Sequence, residues 1–348
     1  MTPPIRYPAP LTPGCRIVVT APSAGVTAPL HRRLDLALGH LRAQGFIVEE
    51  GRCLRDNRQG ASAPAAERAA ELMASLLRDD VDAVFPPWGG ELAIELLDRL
   101  DWTALGRARP KWLIGYSDTS TLLLALTLRL GWASAHGPCL MDLVPGQDDL
   151  LTASALASLA AAPGTAIVQQ QSARWQRQWT DFAVDPGVVY RLTEPTQWRC
   201  LNRSGSVEAS GRLIGGCIDT LMHLAGSVHA DLPAFVARCA GDGALLYLEN
   251  AEMSPTALVR ALHQLRWAGW FDGLAGLMIG RSAAPDAADD TALHCADALA
   301  GVLAALHCPV LADVDIGHQP PQLMLVNGAL ATLRWQADGV GSLTQRLI

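Results

Sequence analysis

Between Lys111 and Ser120 the chain reads Lys-Trp-Leu-Ile-Gly-Tyr-Ser-Asp-Thr-Ser, and this stretch decides the fold. Residues 112–116 are a short apolar strand that runs straight into a turn at 117–120 and a helix over 121–130. A serine on such a sharp strand-to-helix junction has an exposed side-chain oxygen. The backbone N–H of the next residue then lies at a helix N-terminus, where it can stabilise an oxyanion. Asp118 suits the helix start through its N-cap preference and the macrodipole. The elbow pattern Gly-x-Ser-x-Gly is only half met, because Thr119 stands at the last position. Taken alone, the tetrapeptide Gly115–Asp118 reads better as a capped helix start than as a catalytic elbow.

Outward from that stretch, the first half alternates strand and helix. Strands are expected at 16–20, 46–49, 81–85 and 134–136, and helices at 29–44, 65–78 and 91–100. Such alternation implies a mostly parallel sheet with helices on both faces, whose ligands bind beyond the C-terminal strand ends. The turns at 86–90 and 115–118 fall at such ends. Residues 152–162 read as a surface helix. From 163 to about 205 the periodicity fades, and three Trp and several Arg cluster there. Order returns at 211, with strands expected at 244–248, 276–279 and 310–314 and helices at 217–225, 254–268 and 289–305. The division is therefore an α/β domain over 1–165, a Trp- and Arg-rich linker or lid over 166–205, and a second domain over 206–348.

Composition narrows the function classes. The 348 residues are 50% hydrophobic and 18% charged, enough apolar matter for a large core and too much for general disorder. A net charge of −7 argues against a surface for nucleic acid polymers. No secretory signal is read in residues 1–9, and no run reaches the roughly 18 apolar residues of a membrane span. The eight Cys form no C-x-x-C pair, which fits free thiols in a reducing cytoplasm. The doublets His294-Cys295 and His307-Cys308 lack a ligand pattern, so no metal is expected. Ten Trp against five Phe and four Tyr is unusual, since Trp is enriched where flat ligands or partners are gripped.

Three further positions could carry chemistry. Adjacent glycines Gly89-Gly90 after the third strand either form a tight turn or let backbone N–H groups approach a ligand oxygen. Glu249 ends an apolar strand, where it is either solvated or pairs with a histidine. His318 follows a buried strand in a Gly/Pro-rich turn, where a structural role is the simpler alternative. A hydroxyl, a carboxylate and an imidazole on three strand-end turns, in the order Ser…Glu…His, match the needs of an activated serine in α/β hydrolases.

The same residues resemble peptidase family S66, which holds the L,D-carboxypeptidases and the microcin C self-immunity proteins. The likeness runs through residues 17–23, Pro87-Trp88-Gly89-Gly90, residues 111–120, His136-Gly137-Pro138, residues 211–217, residues 246–249, Gly317-His318 and Asn327-Gly328. It implies a serine-type carboxypeptidase with Ser117 as nucleophile, His318 as general base and Glu249 orienting His318. Backbone N–H groups of Gly90 and Asp118 would form the oxyanion hole. It also implies an N-terminal flavodoxin-like domain, as in class I glutamine amidotransferases, and a C-terminal swivelling β/β/α domain. The resemblance further implies a cytoplasmic homodimer needing neither metal nor cofactor.

Gly215-Gly216-Cys217 and the Pro-Trp-Gly-Gly-Glu turn look more like the microcin-immunity branch, which hydrolyses an amide between an aspartyl residue and a nucleotide-like group. On that reading the partner is a peptidyl- or aminoacyl-nucleotide. Gly89, Trp175, Trp179, Trp198 and Cys217 are then candidate substrate contacts, with Trp175 and Trp179 as i, i+4 partners on a helix. Alternatively the three tryptophans fasten the lid to the body or to the dimer partner. The alternative substrate is the murein tetrapeptide, losing its terminal D-Ala. A non-catalytic nucleotide- or peptide-binding module is the competing class. An amidotransferase would need Cys where Ser117 stands, and a dinucleotide oxidoreductase would need a Gly-x-Gly-x-x-Gly after the first strand.

Overall fold

The computed structural model describes residues 4–287, 289 and 291–348. Five short strands form the parallel part of the first sheet: β1 (Arg16–Val19), β2 (Ile47–Glu50), β3 (Ala83–Val84), β4 (Trp112–Gly115) and β5 (Ala135–His136). Their order is 2-1-3-4-5, the flavodoxin-like arrangement, which places ligands at the C-terminal strand ends. Helices α1 (His31–Ala43), α2 (Ala65–Leu77), α3 (Trp102–Arg107) and α4 (Thr119–Leu130) accompany it.

The second sheet is mixed. Its strands are β6 (Ala166–Gln170), β9 (Arg199–Cys200), β10 (Val207–Cys217), β11 (Ala244–Glu249), β12 (Gly276–Gly280), β13 (Val310–Val314), β15 (Leu330–Trp335) and β16 (Gly341–Arg346), while β7 (Arg174–Trp175) and β8 (Glu194–Pro195) form a separate ribbon. The four strands β10 to β13 run parallel and are flanked by antiparallel β15, β16 and β6 on one side and β9 on the other. Residues 166–170 and 199–200, expected within the linker, are thus the two edges of this sheet. The remaining strand, β14 (Leu325–Val326), leaves the second half of the chain and pairs antiparallel with β5 of the first sheet.

Helix α4 explains how the two sheets meet. Its sequence, Thr-Ser-Thr-Leu-Leu-Leu-Ala-Leu-Thr-Leu-Arg-Leu, has no polar face, so it must be buried all round. Every residue but Arg129 is buried, and Leu122 to Leu126 share one hydrophobic core with Val84 and Leu113 of the first sheet and Ile214 and Leu246 of the second. A side chain at Gly216 would stand 2.6 Å from the Ser120 Cβ, so only glycine lets β10 lie this close to α4. Ser120 Oγ in turn accepts the Cys217 N–H at 3.0 Å.

Four expected helices differ: 152–162 is broken into Leu150–Ala153 and Ala155–Leu159, and of 217–225 only Ile218–Leu221 is helical. Over 91–100 only a 3-10 turn forms, Ala93–Leu96, and the N–H groups of Leu92 and Ala93 at its start go to Ser23 Oγ and Asp118 Oδ2. The helix placed at 289–305 is Cys295–Leu303, and Asp290 of that reading lies outside the described residues.

Asn327 ties the sheets together where β14 ends. It is wholly buried; its Oδ1 accepts from Tyr247 Oη at 2.7 Å and Gly215 N at 3.2 Å, and its Nδ2 donates to Ser134 Oγ at 3.2 Å. Asn327→Leu strands these buried donors and should cost about 2–4 kcal/mol in urea unfolding. Adding Tyr247→Phe should recover part of the loss; equal losses in the single and double variants would count against this network.

Candidate active site

Ser117 lies two residues beyond the end of β4 and holds a left-handed backbone, φ 59°. For a non-glycine residue that conformation costs ~1–3 kcal/mol and persists only where neighbours enforce it. The neighbours are visible. A Cβ on Gly89 would stand 2.7 Å from Ser117 Cβ, 2.9 Å from Ser117 Oγ and 2.8 Å from Asp118 N, so the Gly89-Gly90 turn lies flat against the serine. Asp118 starts α4 without capping it. Its buried carboxylate instead accepts from Ser23 Oγ at 2.5 Å, Ala93 N at 2.8 Å and Thr121 Oγ1 at 3.3 Å. Burial raises its pKa against those three bonds. Asp118 therefore fixes the ends of β1, β3 and β4 in one place. Among the described residues, the N–H groups of Gly90 and Asp118 meet no protein acceptor and border the cavity beside Ser117.

Glu249 closes β11 with no solvent access, and His318 follows β13. The His318 Nδ1 lies 2.8 Å from Glu249 Oε2. A side chain at Gly317 would stand 2.4 Å from that oxygen, so this approach requires glycine. Burial alone would raise the Glu249 pKa, but the charge and hydrogen bond of His318 outweigh it and hold the carboxylate below its ordinary value. For His318 burial works downward, and Glu249 outweighs it to leave the imidazole above its ordinary 6.5. With Nδ1 bound to the carboxylate, Nε2 is the nitrogen left to exchange a proton. The Tyr116 ring meets His318 edge-on, with centroids 4.9 Å apart.

Ser117, His318, Gly90, Asp118 and Cys217 line one cavity of about 420 Å³. Its other charged or titratable lining residues are Glu91, Asp219, Glu252 and His223, with no Lys or Arg. The C-terminal ends of both parallel sheets thus open onto the same space, which serves acyl transfer: a hydroxyl, an imidazole backed by a carboxylate, and free backbone donors. Cys217 is a wall of the cavity and not a second nucleophile, because burial drives its thiol far above the ordinary value.

The tryptophans part company. Trp198 is wholly buried, and its indole N–H donates to Asp315 at 2.9 Å; it is a structural residue, and the expectation that it contacts substrate is corrected. Trp175 and Trp179 are not helical partners, since Trp175 lies on β7, paired with Glu194 of β8. Neither borders the Ser117 cavity. Trp175 stands between Arg177 and Arg281, at 5.1 and 5.5 Å, in a separate cleft. Trp179 is half exposed and donates its indole N–H to the His318 carbonyl at 3.1 Å, so it touches the main chain of that residue. Residues without a role in the sequence reading also enter. Ser23 buttresses Asp118, and Asp219 accepts from the N–H groups of Ala251, Glu252 and Met253, shaping the loop beyond Glu249. Among the described residues, no three His, Cys, Asp or Glu side chains gather as a metal ligand set, and no helix is long and apolar enough to cross a membrane.

The comparisons agree with this architecture. The profile of the LD-carboxypeptidase N-terminal domain of peptidase family S66 matches residues 17–137, and that of the C-terminal domain matches residues 210–333. A protein described as a carboxypeptidase from Streptomyces coelicolor is 30% identical over 97% of this chain and 95% of its own. The microcin C7 self-immunity protein MccF of Escherichia coli is 25% identical over 98% of this chain and 96% of its own. A solved structure of MccF with aspartyl sulfamoyl adenosine superimposes with a TM-score of 0.82 at 25% identity, covering 99% of this chain and all of that one. Both family domains, in order and over most of its length, place this chain in peptidase family S66, and it is a serine-type carboxypeptidase of that family.

Proposed function

We propose that the enzyme hydrolyses an aminoacyl- or peptidyl-nucleotide at the amide-like bond next to the nucleotide, through Ser117, His318 and Glu249. The observation that carries this reading is the strained Ser117 on the same cavity wall as His318, whose Nδ1 is held 2.8 Å from a fully buried carboxylate. Ser117 Oγ attacks the carbonyl carbon as its proton passes to His318 Nε2. The carbonyl oxygen takes up the charge between the N–H groups of Gly90 and Asp118, each such donor contributing about 10²–10³-fold. Collapse of the tetrahedral adduct returns the proton to the leaving nitrogen and leaves an ester on Ser117. Water, deprotonated by His318, then releases the acid. Glu249 keeps Nδ1–H fixed throughout and stabilises the imidazolium. The eight free thiols support action in a reducing compartment.

The nucleotide-linked substrate is supported by the likeness to MccF with its bound aspartyl sulfamoyl adenosine. A second reading, cleavage of the L,D bond of a murein tetrapeptide, is supported by the likeness to a Bacillus subtilis protein described as a murein peptide carboxypeptidase, 25% identical over 94% of this chain. Incubation with each substrate, followed by mass spectrometry, separates them. Release of free nucleotide analogue by the wild type and its loss in Ser117→Ala is the expected result. Turnover of the tetrapeptide alone would establish the second reading, and full activity in Ser117→Ala would remove the nucleophile assignment.

Two kinetic outcomes follow from the geometry. The acidic limb of kcat/KM should titrate above pH 6.5, because Glu249 lifts the base that must be neutral in the free enzyme. The sign for stability is opposite: the raised pKa of His318 stabilises the fold fully below its unfolded value, and that contribution fades as pH rises through the folded one. Gly89→Ala needs no left-handed backbone, yet its methyl group meets Ser117 and Asp118 N. It should lower kcat by about 10²-fold and, because those atoms must shift to admit the methyl group, lower Tm as well; unaltered kcat would show that the turn does not hold the serine.

A further inference from the structure

We propose that His136 is a positioning residue for the proposed Glu249–His318 pair: its imidazole faces the second oxygen of Glu249 and holds the carboxylate in the plane that His318 requires. The proposal rests on the triad reading above and adds a residue to which that reading gives no part.

The placement comes from the first sheet. In β5, His136 lies in parallel register with Gly115, two residues before Ser117, so one sheet presents both the nucleophile turn and this imidazole. The ring is fully buried. Neither of its nitrogens has a partner at hydrogen-bond geometry, and neither has Glu249 Oε1, although the His136 main chain bears on the ring and the Cys217 thiol on the carboxylate. These orphans face each other, His136 Nε2 lying 3.9 Å from Glu249 Oε1. Buried polar atoms without partners are rare, and a complementary pair separated by about 1 Å more than a hydrogen bond is a contact that a small side-chain rotation completes. The ring is steadied edge-on by Tyr247, centroids 5.3 Å apart, and by Tyr116 at 6.3 Å.

The chemistry divides two histidines on one carboxylate. The groups facing His136 are Glu249 and Tyr247 from β11, Tyr116 from the end of β4 and His318 from beyond β13. Tyr247 is committed to Asn327, so Glu249 is the only anion among them. Burial lowers the His136 pKa to about 4, with His318 adding to that effect and Glu249 opposing it, so the imidazole is neutral at working pH and carries one proton. Held on Nε2, that proton is donated to Oε1 while His318 donates to Oε2. A carboxylate gripped at both oxygens cannot turn away when His318 becomes imidazolium.

Nuclear magnetic resonance of the intact wild-type enzyme labelled with 15N-histidine tests this without a variant. His136 should show the neutral Nε2–H tautomer from about pH 5 to about pH 8, with a ring shift that moves as His318 titrates. An Nδ1–H tautomer, or a ring indifferent to His318, overturns the proposal. In turnover, His136→Phe should lower kcat by roughly 10-fold with KM within about twofold. It should also raise the acidic limb of kcat/KM by about half a pH unit, since a carboxylate with one donor fewer accepts the His318 proton more strongly. His136→Gln, which restores an N–H, should recover most of kcat. A folded Phe variant with wild-type kcat and pH limb overturns the proposal. Ser117→Ala keeps the two ideas apart: if it abolishes turnover while the His136 results fail, this inference falls and the triad stands.

Discussion

The burial of the Glu249 charge constrains everything around it. A carboxylate removed from water is costly unless it is paired, and leaving even one buried oxygen unmatched costs about 1–3 kcal/mol. The pairing with His318 at 2.8 Å is possible only because Gly317 has no side chain to strike Oε2 and Gly280 none to strike the Glu249 Cβ. Parallel pairing of β10 and β11 sets Cys217 beside Glu249, and the loop that follows is shaped by Asp219. The second sheet therefore ends in a fixed carboxylate–imidazole pair whose imidazole alone reaches the cavity, with its side chain 23% exposed. That pair stores the interaction that turns a histidine of ordinary basicity into a stronger base.

The first sheet answers with a different cost. It holds Ser117 at a strained φ, and the strain is retained because Gly89 lies against the serine and Asp118 is locked by Ser23, Ala93 and Thr121. Each half alone is incomplete. Helix α4 makes them one unit: it begins at the nucleophile turn, packs its whole circumference, and receives Cys217 N on Ser120. Strand β14 and Asn327 close the same seam from the other side. The relation between serine and histidine is thus set by core packing, which deforms little.

The sequence made the local pieces legible and left their meeting hidden. Residues 112–130 read as strand, turn and helix because a short apolar run meets a turn with helix-start residues there, but burial of α4 on nearly every side is not part of that reading. Glu249 and His318 stood out as polar residues at the ends of apolar strands. What failed to show was long-range. Residues 91–100 have helical spacing, yet they fold only into a 3-10 turn whose first N–H groups are tied to Ser23 and Asp118, partners distant in sequence. Trp198 has the composition of a ligand-gripping residue, and only Asp315, 117 positions later, reveals it as a buried donor. His136 was part of a recognisable motif, but its significance lies in an oxygen of a strand more than a hundred residues away.

The irregular middle of the chain is fastened at both ends of the chemistry. Buried Arg33 of α1 donates to the carbonyls of Pro186 and Val188 and stacks on Phe182 at 4.1 Å, so this segment rests on the first domain. Asp315, two residues before Gly317, accepts from Ser172 and Trp198 and pairs with Arg281, so the segment is also rooted beneath the base. Trp179 completes the circuit at the His318 carbonyl. A segment held by the main chain of His318 cannot shift without bearing on it. No residue of 166–205 lines the Ser117 cavity, so the segment bears on that space only through such contacts, while the carboxylates of Glu91, Asp219 and Glu252 border it directly.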